Sequence, residues 1–275
     1  MNRRSRLIHS LVITSLLTGC GRTYEERRSH YERTFPAAAI KRVEIRELSG
    51  SISVEAGASD AIQMSADIRA RGIQPQKGKD NDGYFTTEIA GDTLIIDTAR
   101  RNRKHGFFFN GPEIRADYEL RVPANVELQL ETVSGRIATR GIAGETSATT
   151  VNGELDLEAT GASELAARAI NGRIAARFLS DFHGAQFKTI NGQVTAILPT
   201  SASFLGDFTQ VNGDFEAAFP LNIHSHPGSR RVSGEVNGGR YSLKITTVNG
   251  DIKIDNAPAP PVRPAVPETP PAPRT

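Results

Sequence analysis

Thr150-Val151-Asn152-Gly153-Glu154-Leu155 is one of five near-copies of a single phrase. The others are Ala169-Ile170-Asn171-Gly172-Arg173-Ile174, Thr189-Ile190-Asn191-Gly192-Gln193-Val194, Gln210-Val211-Asn212-Gly213-Asp214-Phe215 and Thr247-Val248-Asn249-Gly250-Asp251-Ile252. Two looser copies, Val133-Ser134-Gly135-Arg136-Ile137 and Val232-Ser233-Gly234-Glu235-Val236, carry Ser in place of Asn. From Gly135 onward the phrase glycines are 18, 19, 20, 21, 21 and 16 residues apart. A unit of this length is too small to bury its own apolar face and must stack on its neighbours.

Asn-Gly by itself is a hairpin signal, since both residues tolerate positive φ. A two-residue hairpin here would pair Val151 with Glu154 and Thr150 with Leu155, mixing apolar and polar side chains on each face. Period-2 alternation instead places Val151, Gly153 and Leu155 on one side and Asn152 and Glu154 on the other. The phrase then reads as a strand running through a bend, the corner of a β-solenoid. This predicts two internal ladders. One is Val133, Val151, Ile170, Ile190, Val211, Val232 and Val248; the other is Ile137, Leu155, Ile174, Val194, Phe215, Val236 and Ile252. Asn152, Asn171, Asn191 and Asn212 would line up at the corner, where stacked amides can bond to each other or to backbone. Six steps would rise roughly 30 Å. The competing arrangement is a set of separate Asn-Gly hairpins in a β-sandwich.

The expected fold is therefore all-β, a single-stranded right-handed β-solenoid or β-helix-like roll with turns of about 18–21 residues. Residues 36–130 alternate well, as at Val43, Ile45, Ile52 and Val54, and later at Leu120, Val122, Leu128 and Leu130. Leu48-Ser49-Gly50-Ser51-Ile52 already carries the corner phrase, so these strands read as irregular first turns that cap the regular part at 131–256.

The ends belong to a different class. Arg3, Arg4 and Arg6 precede a short apolar run, Leu7 to Leu17, which ends in Leu17-Thr18-Gly19-Cys20. This resembles the bacterial lipobox, which implies cleavage before Cys20 and lipid attachment to that residue. Cys20 is the only cysteine, so no disulfide forms within the chain. Several acyl chains would anchor the protein to a membrane without spanning it. Gly21 after the cysteine favours an outer-membrane address in the bacterial cell envelope. Residues 1–19 hold three Arg and no acid, leaving 30 basic and 31 acidic residues and no excess that would suggest nucleic acid. The expected organisation is a signal peptide at 1–19, a polar tether at 20–35, the β domain at 36–256, and an extended tail at 257–275 containing eight Pro.

Chemistry is sparse. His224 and His226 share strand parity and could begin a metal site, but Pro227-Gly228-Ser229 follows and reads as a loop, so no metal or cofactor is expected. Hydrolase elbows, phosphate loops and zinc-protease helices are missing. Glu154, Asp156, Asp214 and Asp251 lie near the corners, but Arg173 and Gln193 occupy equivalent places, as on a solvated turn face. The oddest segment puts Arg100, Arg101, Arg103 and Lys104 beside Phe107, Phe108 and Phe109. It is a candidate surface contact for anionic lipid, lipopolysaccharide or protein; the bland alternative is that the Phe residues plug the solenoid end. Asn152, Gly153, Asn171, Gly172, Asn191, Gly192, Asn212, Gly213, Asn249 and Gly250 are read as structural corner residues.

Val43-Glu44-Ile45, Ser49-Gly50-Ser51-Ile52-Ser53-Val54, Tyr118-Glu119-Leu120-Arg121-Val122-Pro123 and the recurring Asn-Gly phrase together resemble the "putative adhesin" family of bacterial β-solenoids, DUF4097/DUF2807-like, over about residues 40–256. The resemblance implies an exported or membrane-attached single-stranded solenoid and supplies no catalytic residue. The main expectation is a non-enzymatic lipid-anchored scaffold for adhesion or for binding an envelope protein or polysaccharide. The alternatives are a regulatory partner of an envelope-stress system and a polysaccharide-acting β-helix enzyme.

Overall fold

The computed structural model describes residues 25–58, 60–73, 75–76, 80–98, 113–161, 163–226 and 229–257. Its strands, in chain order, begin with β1 (Glu26–Pro36), β2 (Arg42–Arg46), β3 (Ile52–Ala56), β4 (Ala61–Arg71), β5 (Thr86–Ala90), β6 (Thr93–Asp97) and β7 (Glu113–Val122). Then come β8 (Glu127–Ser134), β9 (Ile137–Ile142), β10 (Thr146–Asn152), β11 (Leu155–Ala159), β12 (Leu165–Asn171), β13 (Ile174–Phe178), β14 (Ala185–Lys188) and β15 (Val194–Pro199). The chain continues with β16 (Phe204–Asn212), β17 (Phe215–Ala217), β18 (Asn222–His226), β19 (Ser229–Val236), β20 (Tyr241–Asn249) and β21 (Ile252–Ala257).

These strands form two sheets around one core. Sheet A runs β1-β4-β7-β3-β9-β11-β13-β15-β21-β17, and sheet B runs β18-β19-β16-β20-β14-β12-β10-β8-β2-β6-β5. Successive strand pairs leave sheet B, turn a corner and enter sheet A, each stacked parallel on the next. Leu155 registers with Ile137 and Ile174, and Asn152 with Ser134 and Asn171.

Stack order departs from chain order at both ends. The pair β6/β7 lies outside β2/β3, although it follows it in sequence. The last pair, β20/β21, is threaded between β14/β15 and β16/β17. Antiparallel strands then close each end: β4, β1 and β5 at one, β19 and β18 at the other. Both sheets are thus mixed, and uniform parallel stacking is found only between these caps. Closure by antiparallel strands covers edges that would otherwise invite pairing with another chain.

Several expectations change. Residues 26–35, expected within a tether, belong to strand β1, which pairs along its whole length with β4. The Val232-Ser233-Gly234 copy is not a corner; it lies in β19, with Gly234 opposite Gly206 of β16. His224 and His226 belong to β18 and not to a loop.

The larger correction concerns parity. Ile170, Ile190, Val211 and Val248 are 42%, 41%, 42% and 38% exposed, so these members of the first predicted ladder point to solvent, while Val232, in β19, is buried. Buried in its place is the residue before it: Thr132, Thr150, Ala169, Thr189, Gln210 and Thr247. The pleat breaks at the bend, and two consecutive residues, such as Val151 and Asn152, both face outward. The second ladder is internal: Ile52, Ile137, Leu155, Ile174, Val194, Ile252 and Phe215 stack in that order, with Val236 elsewhere in β19.

Close approach explains the glycine. A Cβ on Gly135 would lie 1.8 Å from the Gly50 carbonyl oxygen, and on Gly153 1.7 Å from that of Gly135. The column continues through Gly172, Gly192 and Gly250, each against the carbonyl below, and ends at Gly213. Each of these glycines except Gly213 donates its N–H to the corner carbonyl of the next turn, as Gly153 does to Asn171 at 3.1 Å. Gly153→Ala should therefore destabilise the fold by several kcal/mol, because backbone must move. Gly57→Ala, whose Cβ would sit 3.7 Å from the nearest atom, should change stability by less than about 0.5 kcal/mol. Thermal melting of the two variants checks this.

Candidate interaction face

The corner residues build a ridge along the stack. Asn171 donates its side-chain amide to the Asn152 Oδ1 at 2.9 Å, Asn191 to Asn171 at 2.8 Å, Asn249 to Asn191 at 2.8 Å and Asn212 to Asn249 at 2.8 Å. The amides run head to tail, which lets each bond polarise the next. Their order, 152-171-191-249-212, repeats the threaded order of the turns. Beneath them two of the buried threonines reach the glycine column: the Thr189 hydroxyl donates to the Gly172 carbonyl at 3.4 Å, and Thr247 to Gly192 at 3.5 Å. In the distal turn, the Gln210 amide donates to the carbonyls of Gly250 at 2.7 Å and Asp214 at 3.1 Å.

One flank of this ridge is the outer face of sheet B. The aliphatic row Ile170, Ile190, Val248 and Val211 lies directly beside the amides. Away from the ridge on the same face come Arg168, Lys188 and Lys244, exposed, on three neighbouring strands. Arg168 stands opposite Lys188, and Gln186 opposite Lys244. None of the three cations is ion-paired among the described residues. The four strands β10, β12, β14 and β20 carry no acidic residue at all. Four adjoining strands without an acid, three free cations and an aliphatic border suit an anionic, partly apolar partner; the first acid beyond them, Asp207 of β16, stands opposite Lys244 and pairs with Arg231.

The other flank, on sheet A, is self-satisfied. Asp156 accepts from Arg136 at 2.6 Å and Arg140 at 3.1 Å, and Glu154 pairs with Arg173 at 3.4 Å. Burial works to raise the Asp156 carboxyl, but those arginine hydrogen bonds outweigh it and hold it below the usual range. The Asp214 N–H donates to Asp251 at 2.9 Å. The corner carboxylates thus spread along one face as ion pairs and turn caps.

A polar groove of about 460 Å³ lies on the outer face of sheet A near the proximal end, lined by Glu32, Ser53, Glu55, Gln63, Glu119 and Arg121 among others. Glu55 lies 4.0 Å from Arg121, and Glu32 lies 3.5 Å from His30, whose Nδ1 is 2.7 Å from Asp67. No aromatic side chain lines this groove. Among the described residues no cluster of three or more His, Cys, Asp or Glu could hold a metal ion. Likewise, no described helix is long and apolar enough to cross a membrane.

Glu47 was not legible as a special residue. It occupies the first corner's place in the buried threonine column, next to Thr98, whose N–H donates to Arg46 at 3.0 Å. One Glu47 oxygen accepts from the Ser49 N–H at 3.0 Å and the Ala116 N–H at 3.4 Å, tying the first corner to β7. Beside it the Thr98 and Tyr118 hydroxyls are 2.5 Å apart. Burial pushes the Glu47 carboxyl up to about 8 against a weaker pull from its hydrogen bonds. A carboxyl built into a closed corner and bonded to its backbone serves the fold. Cys20 and the segment from Arg100 to Phe109 lie outside the described residues; the strands flanking that segment end at Asp97 and start at Glu113, both at the corner edge.

A family profile described as Toastrack DUF4097 matches residues 14–255. The chain belongs to that family. This Toastrack chain is similar to a "putative cell adhesion protein" of Clostridium sporogenes at 11% identity and TM-score 0.43, over 84% of this chain and 100% of the other. It is also similar to a "putative adhesin" of Bacteroides fragilis at 10% identity and TM-score 0.34, over 82% and 97%. A "putative lipid binding protein" of Parabacteroides distasonis follows at 9% and 0.25, over 84% and 96%. Likeness at this level carries no argument about function. No curated protein matches the Toastrack chain in sequence.

Glu47 gives the Toastrack fold a defined pH response. The folded chain keeps this proton to about pH 8, whereas the unfolded chain releases it at the ordinary value of 4.5. The folded state therefore binds more protons in that window, and the Glu47 contribution to stability falls as pH rises through it. The slope is at most about 1.4 kcal/mol per pH unit. Glu47→Gln should remove this decline, so denaturant midpoints of the two chains should diverge from pH 5 to about 8, with the variant more stable at the alkaline end.

Proposed function

We propose that this Toastrack protein is a non-enzymatic, lipid-anchored envelope protein whose stacked turns form a right-handed β-solenoid, the hand usual for parallel crossovers. Its role is to present an extended face for adhesion or for binding an envelope partner. The observation that carries the binding reading is the acid-free outer face of β10, β12, β14 and β20 with its exposed aliphatic border. Solvated sheet faces normally intersperse both signs of charge and scatter their apolar residues singly. The same turns do so on sheet A, with Asp156, Glu158, Arg177, Lys253 and Asp255.

A non-enzymatic role agrees with the groove on sheet A. Its carboxylates are open to solvent, with the side chains of Glu32 and Glu55 both 60% exposed. Glycosidase chemistry needs one carboxyl kept protonated by a desolvated setting. Lipid anchoring follows from Leu17-Thr18-Gly19-Cys20, and an outer-membrane address from Gly21. Expressed in a Gram-negative host, the chain should incorporate labelled palmitate and fractionate with outer membranes. Cys20→Ser should abolish both. In the binding arm, the Cys20→Ser chain immobilised as bait should retain an envelope component, and Arg168→Glu with Lys188→Glu should lose it. Retention of nothing by either chain counts against the binding role while leaving the anchor intact.

A further inference from the structure

The route of the chain decides which side of the molecule faces its membrane. Sheet B strands end at the corner, and sheet A strands of the regular turns begin there. Strand β1 can be placed on the same scale. Its Ser29 registers with Ile68 of β4, Ile68 registers with Ala116 of β7, and Ala116 stacks on Gly50 of the corner column. Residues 26–28 therefore project past the column, on the corner side of the stack. Glu26 is six positions on from Cys20, a span of at most roughly 20 Å. A lipid on Cys20 would hold the β1 end of this edge near the leaflet. The opposite terminus behaves differently: β21 starts at the corner with Ile252 and runs away from it, so the chain beyond Ala257 departs from the far edge.

The same edge carries the features a lipid surface recognises. The three-strand overhang where the chain emerges is charge-balanced, with Arg27 paired to Glu25, Arg28 to Glu26, and Arg69 and Arg115 both near Asp117, so the free cations of this edge are those of sheet B. Along the ridge, Ile170, Ile190, Val248 and Val211 are exposed, with Arg168, Lys188 and Lys244 behind them. Asp214 and Asp251 sit across the amide ladder on the sheet A flank, and on sheet B Asp207 of β16, opposite Lys244, is paired with Arg231, so the favourable contact centres on β12, β14 and β20. Cations supply attraction to anionic headgroups, and short branched aliphatics at the rim reach the headgroup–acyl boundary.

We propose that the corner edge and the adjoining face of sheet B dock on the anionic leaflet that holds the lipid anchor, laying the stack along the membrane. This deepens the binding role proposed above, since it names the partner of that face as the membrane itself. The test uses the full chain with Cys20→Ser, so that no acyl group contributes, and co-sedimentation with vesicles of phosphatidylcholine alone or with added phosphatidylglycerol. Binding is expected only to the anionic vesicles and should weaken as salt rises. Arg168→Glu with Lys188→Glu should lower it by about tenfold or more, at about a factor of five per cation. Ile170→Ser with Ile190→Ser should lower it at unchanged melting temperature. Arg177→Glu, on the outer face of sheet A, should leave it unchanged. Equal binding to both vesicle types, no binding, or an equal loss with Arg177→Glu overturns the proposal. Vesicle binding that survives the sheet B variants, while capture of an envelope component is lost, overturns it too and leaves the partner-binding role standing.

Discussion

The contact on which everything else depends is the approach of one corner glycine to the carbonyl of the next. With less than 2 Å between a would-be Cβ on Gly153 or Gly172 and a carbonyl oxygen, no other residue fits. That closeness brings successive turns to strand spacing at the bend, where sheet hydrogen bonding would otherwise lapse. The Gly N–H then bonds to the Asn carbonyl above, and the Asn side chains bond to each other outside the column. Inside it, threonine hydroxyls address the glycine carbonyls. Each word of the phrase has a separate duty: Thr inward, Val or Ile outward, Asn as the exposed rung, Gly as the contact.

Because the contact repeats identically, the stack can accept turns out of sequence. β20/β21 enters between two turns made earlier in the chain, and its Gly250 takes up position against Gly192 with the same geometry as its neighbours. The turn β16/β17 consequently has its parallel partner only in the last strands synthesised. At the proximal end, β6/β7 is added outside β2/β3 in the same way. Interchangeable turns of this kind are what nearest-neighbour stability in repeat proteins permits.

Much of this was legible in the sequence. The period, the all-β class, the second apolar ladder and Ser49-Gly50 as an early corner follow from spacing and alternation. The outward turn of Ile170, Ile190, Val211 and Val248 did not, because period 2 was carried unbroken through a bend that breaks it. Branched aliphatics fit a β surface well enough on either side that composition alone cannot decide. The threading of β20/β21 left no local mark, since its corner phrase is like the rest. Strand β1 was hidden by its charges: Glu26, Arg27, Arg28, Glu32 and Arg33 read as a solvated tether, yet they suit an edge strand that must avoid pairing with strangers. The acid-free face became visible only when four strands separated in sequence were seen side by side.

The account turns on the parity of the corner, since both the buried threonine column and the exposed aliphatic border follow from it. The most direct measurement is the labelling rate of single cysteines placed at adjacent positions 189 and 190 in the Cys20→Ser chain, under native conditions. The account predicts rapid modification at Ile190→Cys and strong protection at Thr189→Cys, which lies in the core at 1% exposure. Protection at 190 with free access at 189 would contradict it.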